Sequence, residues 1–113
     1  GEIRALGGGH DGGGWKVGLA AGPDGEALAA TLRLDNRAVA TSMMAGTVLD
    51  ASGRVGHILH PRKGAVTSTF SAVSVVAPDA ALADALSTAA VLMAPDDLSR
   101  FNLPGVEIHA TPA

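Results

Sequence analysis

Two oxygen-bearing side chains, Asp84 and Thr88, lie four residues apart in a stretch that is otherwise almost wholly apolar. This stretch, residues 78–93, contains no Lys, Arg or Glu, and its one other carboxylate is Asp79, near the start, where a helix dipole favours negative charge. Four residues is close to one helical turn, so Asp84 and Thr88 share a helix face. A carboxylate and a hydroxyl placed together are oxygen ligands that suit a hard cation such as Mg2+.

The rest of this stretch has the pattern of a buried helix. The helical period puts an apolar stripe on the side away from Asp84, formed by Leu82, Leu86, Ala89 and Met93. Because such a helix is apolar nearly all round, we expect packing on both sides and an Asp84 carboxylate that does not face open water. A buried carboxylate must be paired, hydrogen-bonded or bound to a cation. The structural alternative is that Asp84 caps a neighbouring loop and Thr88 bonds back to the preceding turn.

A second group of ionisable side chains lies in the Gly- and Pro-punctuated segment 53–64, which contains two His, two Arg and one Lys. Such cations hold anions, and a histidine can act as a general base near neutral pH. The spacing of His57 and His60 is compatible with zinc, but no Cys or well-spaced third ligand stands nearby, so zinc is disfavoured. The alternative is a solvated connection that Ile58 and Leu59 anchor to the core.

The composition limits the chain to one small domain. Of its 113 residues 47% are hydrophobic, but there is one Trp, two Phe and no Tyr, so small aliphatic side chains must form the core. The net charge is −3, with Lys and Arg scattered, so we expect no nucleic-acid partner. We also expect no membrane span, because no apolar run is long enough. The chain has no Cys, which excludes disulfides and leaves the cellular compartment open.

The order of predicted elements indicates an α+β fold with antiparallel strands and a long helix packed on one face. Residues 28–35 alternate as a half-buried strand, and we expect residues 38–41 to be its hairpin partner across an Asp35-Asn36 turn. Further strands are predicted at residues 15–19, 71–77 and 106–109, and the helix at 78–93, with Pro78 in its first turn.

The glycine-rich segment, residues 7–14, predicts a flexible surface loop without a fixed conformation of its own. A phosphate-binding loop would be followed by a helix, whereas a strand pattern that begins at Trp15 follows here. We therefore exclude a P-loop or dinucleotide-binding role for this segment.

The chain resembles the ApbE family of flavin transferases from Gly1 to about Val106. The resemblance is carried, in order, by GEIRALG, a strand led by Trp15, LDNRAVATS, GHILHPRKG and SVVAPDAALADALSTAAVLM. It implies a T-fold-like α+β half-domain and binding of FAD with Mg2+. The implied activity is transfer of FMN from FAD to a Thr or Ser hydroxyl of an acceptor protein, or hydrolysis of FAD to FMN and AMP.

The resemblance also implies roles for individual residues. Asp84 and Thr88 match the side chains that hold Mg2+ in the family. His57 matches the histidine of the family's His-x-x-Asp-Pro-x-x-Gly loop and is the implied catalytic residue, with a further role in cofactor binding. The other implied cofactor-binding residues are Pro61, Gly64 and Ser42.

The sequence departs from the family pattern at two places. His60 stands where the family has Asp, and we expect that an imidazole cannot replace a carboxylate that accepts hydrogen bonds. Met43 and Met44 replace the Gly-x-Tyr that typically follows Thr41-Ser42. These departures leave open an alternative function, a catalytically impaired ApbE-like binding or structural subunit of a split protein.

Family members are also much longer than this chain. We therefore expect residues 1–113 to form the C-terminal portion of an ApbE-like domain, completed by an N-terminal portion or partner chain. The thin core and the apolar helix lead to the same expectation, and we predict that the chain alone is not a stable monomer.

Overall fold

The computed structural model describes residues 1–21, 27–53 and 55–113. These residues form two antiparallel sheets and two helices, which confirms the predicted α+β class. In chain order the elements are β1 (Glu2–Arg4), β2 (Trp15–Ala21), β3 (Ala27–Leu34), β4 (Ala38–Met43), β5 (Phe70–Ala77), α1 (Ala80–Val91), α2 (Pro95–Arg100) and β6 (Glu107–Pro112).

The larger sheet has four strands in the order β1-β4-β5-β6. Its middle is packed on both faces, by α1 on one side and by the β2–β3 hairpin on the other. Strand β5 is therefore buried from Ala72 to Ala77, with Val73, Val75 and Ala77 in the helix-side core and Val76 in the hairpin-side core. This two-sided burial explains why its sequence is a nearly continuous apolar run.

The predicted pairing of β3 with β4 is wrong. Strand β3 pairs with β2 in a separate two-stranded sheet, and β4 pairs with β1 and β5. The turn after Leu34 takes the chain from one sheet to the other, where Leu34 packs against Val39 and Val76. The observed pairing thus goes together with burial of Leu34 against the larger sheet and does not follow from the local turn sequence.

The glycine-rich loop between β1 and β2 is exposed at residues 10–13 and has a defined set of hydrogen bonds. Gly14 donates its backbone N–H to the Gly8 carbonyl at 2.7 Å, and Gly7 donates to the Asn36 side chain at 2.8 Å. Gly14 has a φ of +93°, and a Cβ there would lie 3.2 Å from Cβ of Arg33. The support that the glycines lack locally thus comes from the β3–β4 turn and its neighbours.

Helix α1 confirms the helix predicted at 78–93, and its N-cap sets where the helix begins. Asp79 is the N-cap and accepts a hydrogen bond from the Leu82 backbone N–H at 2.8 Å, so Pro78 precedes the helix instead of occupying its first turn. The short helix α2 was not predicted. Among the described residues no helix has the length and apolar character needed to cross a membrane.

We expect Asp79→Ala to lower the free energy of unfolding by about 0.5–2 kcal/mol, because the first turn of α1 loses its side-chain acceptor. Urea unfolding followed by circular dichroism measures this change. The matched control is Asp84→Ala on the same helix, which removes a carboxylate with no hydrogen bond from the described residues. Equal destabilisation by the two substitutions would contradict the capping role.

Candidate functional site

The face of α1 that carries Asp84 and Thr88 is exposed, and the opposite face packs on β4 and β5. The expectation that Asp84 is turned away from open water is therefore wrong for this chain. The residues of α1 that contact the sheet follow those of the predicted stripe by one position in the sequence. Leu82 and Leu86 of that stripe are half-buried beside the contact. Small side chains in the contact let the helix lie close to the sheet; the buried residues are Ala83, Ser87, Ala90 and Val91.

The structural alternative for this pair does not fit the observed contacts. Within the described ranges, no hydrogen bond or ion pair reaches the Asp84 carboxylate, so it caps no loop there. The bond back to the preceding turn is made by Ser87, whose hydroxyl donates to the Asp84 backbone carbonyl at 3.0 Å. The Thr88 hydroxyl instead lies 3.2 Å from the hydroxyl of Ser42.

Ser42 connects the helix to strand β4. Its side chain lies on the same face of the strand as Ala40, which belongs to the core under α1. Its Oγ is 2.8 Å from Oγ of Ser87 as well as 3.2 Å from Oγ1 of Thr88. Strand β4 therefore places a third oxygen-bearing side chain beside the Asp84–Thr88 face.

A cavity of about 510 Å³ brings together four of the predicted site residues, Ser42, His57, Asp84 and Thr88. Helix α1 supplies two of them, strand β4 one, and the segment before His60 the fourth. Pro61 and Gly64, also predicted to bind cofactor, are exposed and are not among the residues that line this cavity.

His57 reaches the cavity because the next residue anchors its segment. Ile58 is only 7% exposed and belongs to the core under α1, whereas Leu59, expected to share this role, is 49% exposed. The His57 backbone N–H donates to the Thr47 carbonyl at 2.9 Å, and the ring Nδ1 lies 3.3 Å from the same oxygen. Because a carbonyl oxygen only accepts, this ring contact places the proton on Nδ1 and leaves Nε2 of the neutral ring as an acceptor.

His60 accepts backbone hydrogen bonds at the position where the family pattern has Asp. Its Nδ1 accepts from the backbone N–H groups of Arg62 at 3.1 Å and Lys63 at 3.2 Å, and its backbone pairs with Gly64 in both directions at 2.8 Å. The expectation that imidazole cannot replace an accepting carboxylate is therefore wrong. Nδ1 is attached to Cγ, as is Oδ1 of aspartate, so both side chains hold an acceptor at a similar distance from the backbone.

This geometry predicts that His60→Asp leaves the turn intact and His60→Ala does not. We expect His60→Ala to cost about 1–2 kcal/mol in unfolding free energy, because two backbone N–H groups lose their acceptor, and His60→Asp to cost less than half as much. Chemical denaturation of the three proteins provides the comparison. Equal losses for Ala and Asp would show that the acceptor is unimportant.

The donor set on this cavity suits Mg2+ better than a transition metal. No group of three or more His, Cys, Asp or Glu that could hold a metal is found in the part of the chain that the structure describes. Mg2+ in proteins is commonly held by one or two carboxylates with water and substrate phosphate oxygens. Asp84 with the hydroxyls of Thr88 and Ser42 offers such a set, with room in the cavity for the other ligands.

An apolar cavity adjoins the polar one. It also has a volume of about 510 Å³, and Met43 lines both. Met44, Val66 and Phe70 contribute apolar surface to it, so of the two methionines that depart from the family pattern Met43 lies where the cavities meet and Met44 lines the apolar one.

Sequence reasoning missed Ser87 and Thr47. Ser87 is fully buried at the centre of the helix contact, and its signal is a serine between Ala83 and Ala90 at the spacing of the buried face. Thr47 acts on His57 through its backbone carbonyl, for which a side-chain pattern gives no signal.

The comparisons with known proteins agree with this fold. The sequence profile of the ApbE family matches residues 1–108. The structure is similar to the ApbE protein of Thermotoga maritima, with a TM-score of 0.80 and 32% identity over 97% of this chain and 37% of that one. It is also similar to the apo form of the flavinyl transferase ApbE of Pseudomonas stutzeri, with a TM-score of 0.64 and 26% identity over 98% of this chain and 39% of that one. No match is found among curated proteins.

The antiparallel four-stranded sheet, covered by α1 and by a separate hairpin, is thus the α+β fold found in ApbE proteins. The chain belongs to the ApbE family. It spans less than two fifths of the length of the two solved ApbE chains described above.

Proposed function

We propose that this chain is the C-terminal portion of a Mg2+-dependent flavin transferase that moves FMN from FAD to a Thr or Ser hydroxyl of an acceptor protein. The observation that carries the proposal is the cavity shared by Asp84, Thr88, Ser42 and His57. An exposed carboxylate with no bond to the described residues stands there beside hydroxyls and a histidine. Membership of the ApbE family, and the flavinyl transferase among the similar structures, support the class of reaction.

Asp84 and Thr88 would hold Mg2+, whose charge would neutralise the FAD diphosphate while one of its P–O bonds breaks. The carboxylate supplies the single negative charge of the set, and Thr88 contributes a neutral oxygen one helical turn away. Ser42 lies 3.2 Å from Thr88 and directs a further hydroxyl to the same place. These side chains are fixed on a helix and a strand, so they hold their positions without a loop having to close.

His57 would act as the general base. Its Nε2 takes the proton of the acceptor hydroxyl while the hydroxyl oxygen bonds to the phosphorus of the FMN half of FAD. The bond from this phosphorus to the bridging oxygen breaks, and AMP leaves with that oxygen. The Thr47 carbonyl holds the opposite ring nitrogen and aims Nε2. Water in place of the acceptor hydroxyl gives FMN and AMP, the hydrolytic form of the same reaction.

The adjoining apolar cavity supports FAD as the substrate. FAD joins a flat, largely apolar ring system to a charged diphosphate, so its site needs an apolar and a polar compartment next to each other. The cavities that meet at Met43 have these characters, one lined by Met44, Val66 and Phe70 and the other by Asp84 and His57.

We further propose that an N-terminal ApbE-like segment or partner chain completes the domain. The two similar structures are each much longer than this chain, which covers 37% and 39% of them. Large apolar side chains are also exposed on this chain, among them Leu6 at 73%, Leu49 at 60% and Ile3 at 50%. Covering these side chains would remove apolar surface from water and stabilise the assembly.

A binding or structural subunit without transfer chemistry is the second candidate. This candidate rests on two departures from the family pattern, His60 in place of Asp and the Met43-Met44 pair. Because His60 accepts the hydrogen bonds of the turn, the first of these reasons no longer favours loss of function.

The test uses the native assembly that contains this chain. Native mass spectrometry gives the mass of any partner and of bound FAD; incubation with FAD, Mg2+ and a Thr-containing acceptor peptide follows. We expect the peptide to gain the mass of an FMN group, with release of AMP, and EDTA to stop the reaction. FMN and AMP without labelled peptide would indicate hydrolysis, and FAD binding without turnover would indicate the binding subunit. A chain that sediments alone as a stable folded monomer would contradict the proposed partner.

A further inference from the structure

The hydroxyl groups of Thr88, Ser42 and Ser87 form a chain that ends on the Asp84 backbone carbonyl. The successive distances are 3.2 Å from Thr88 to Ser42, 2.8 Å from Ser42 to Ser87, and 3.0 Å from Ser87 to the carbonyl. Ser87 is fully buried, so water does not compete for its hydroxyl. The chain therefore runs from the cavity into the interface between helix and strand.

The direction of the protons follows from the last link. A carbonyl oxygen only accepts, so Ser87 must give its single hydroxyl proton to Asp84. Ser87 then has only lone pairs for Ser42, and Ser42 must donate to Ser87. With its proton used, Ser42 can only accept from Thr88. Because each hydroxyl has a single proton to donate, only one set of donor and acceptor roles fits the three hydrogen bonds.

We infer that Ser87 and Ser42 are positioning residues, which turn the Thr88 hydroxyl proton away from the cavity and leave its oxygen lone pairs directed toward a cation. This inference rests on the proposed function, because it concerns how Thr88 would serve as a ligand for Mg2+. A cation is bound by lone pairs and repelled by a hydroxyl proton, so this arrangement prepares the ligand before the ion arrives.

Substitution of Ser87 should turn the Thr88 proton back toward the cavity, although Ser87 itself does not line the cavity. In Ser87→Ala the Ser42 proton has lost its acceptor, and Thr88 is its nearest alternative. The Thr88 proton is then displaced toward the cavity. We expect about tenfold weaker cation binding, the change that loss of one hydrogen bond of ordinary net strength produces. Ser42→Ala should weaken binding by at least this factor, because Thr88 loses its acceptor and the cavity also loses the Ser42 oxygen.

The double variant separates this role from simple packing. If Ser87 acts only through Ser42, then Ser87→Ala adds no further loss of cation binding in a Ser42→Ala background. If the two substitutions act independently on the structure, the fold-losses of cation affinity in the single variants multiply in the double variant. The matched control is Ser68→Ala, which removes another serine bond to a carbonyl of α1, at Val91, and lies outside the polar cavity. Mn2+ is the probe, titrated into the native assembly and followed by electron paramagnetic resonance.

A second measurement needs no cation. In a neutron structure of the deuterated protein, we expect the Thr88 deuteron on the line to Ser42, the Ser42 deuteron toward Ser87, and the Ser87 deuteron toward the Asp84 carbonyl. A Thr88 deuteron pointing into the cavity would overturn the inference, as would multiplicative losses in the double variant. Failure of the wild-type protein to bind Mn2+ would refute the proposed cation site, and the deuteron positions would still decide the direction of the chain.

Discussion

Replacing Asp84 with asparagine is expected to reduce Mg2+-dependent FAD cleavage by at least about 100-fold, at or beyond the upper end of what loss of an outer-shell metal partner costs. Asparagine keeps the size of the side chain and removes its charge. The Asp84 carboxylate is the only one among the residues that line the polar cavity, so no described neighbour there can replace it. FAD consumption by the native assembly, measured by chromatography over a series of Mg2+ concentrations, gives the size of the loss.

The fold should tolerate this substitution. Asp84 is exposed and makes no hydrogen bond or ion pair with the described residues, so the thermal midpoint of the variant should match that of the wild type. Asp96→Asn is the matched control, since Asp96 is an exposed carboxylate on the other helix. Full activity of Asp84→Asn would exclude Asp84 as a metal ligand, and an equal loss in Asp96→Asn would indicate a general effect of charge.

Replacing His57 with alanine is expected to lower FMN transfer by about 10²–10⁴-fold, the usual range for removal of a general acid or base. Alanine preserves the backbone N–H bond to the Thr47 carbonyl, so the segment should keep its place while the ring is lost. The measurement is the initial rate of FMN transfer to a Thr-containing peptide, at saturating Mg2+ and FAD. Binding of FAD should change much less than the rate.

His10→Ala is the control for this prediction, because His10 is an exposed histidine in the glycine-rich loop and does not line the polar cavity. It should transfer FMN at the wild-type rate. Full activity of His57→Ala would rule out the proposed base. Equal loss of FAD binding and of rate would instead assign His57 to substrate binding.

The elements with strong local signals were predicted well from the sequence. The helix at 78–93 has a helical period and an N-cap, and β5 is a mostly apolar run with three valines that ends just before Pro78. Their order was sufficient to predict the α+β class. The bounds shifted by a few residues because Asp79, rather than Pro78, sets the start of α1.

The partner of β3 and the buried face of α1 were not predictable in the same way. Alternation shows that residues 27–34 form a strand, but its pairing with β2 goes together with burial of Leu34 against Val39 of β4 and Val76 of β5. The periodicity of α1 favoured its large leucines as the contact, whereas the small Ala83, Ser87 and Ala90 lie against the sheet. Hydrophobicity alone does not show how closely a helix approaches its sheet.

Four of the six predicted site residues line one cavity, Pro61 and Gly64 do not, and the hydrogen bonds inside the site have no signal in the sequence. Asp84, Thr88, His57 and Ser42 were each identified from the sequence, and they line one cavity. The role of Ser87 depends on distances between two elements, and that of Thr47 on a backbone atom. The residue type at position 60 alone does not show that Nδ1 of the histidine can accept a hydrogen bond as a carboxylate oxygen does.

The turn held by His60 has an electrostatic consequence. It presents the exposed cations Arg62 and Lys63, for which no ion pair is found within the described ranges, and a neutral imidazole stands where the family pattern has a carboxylate. The turn therefore has one negative charge fewer than that pattern would give it. FAD, the proposed substrate, is anionic, so its approach to the neighbouring cavity would be favoured over about one Debye length, ~8–10 Å at physiological ionic strength. For the proposed FAD substrate, a histidine in place of Asp would thus make arrival at the cavity faster at low salt and more sensitive to added salt.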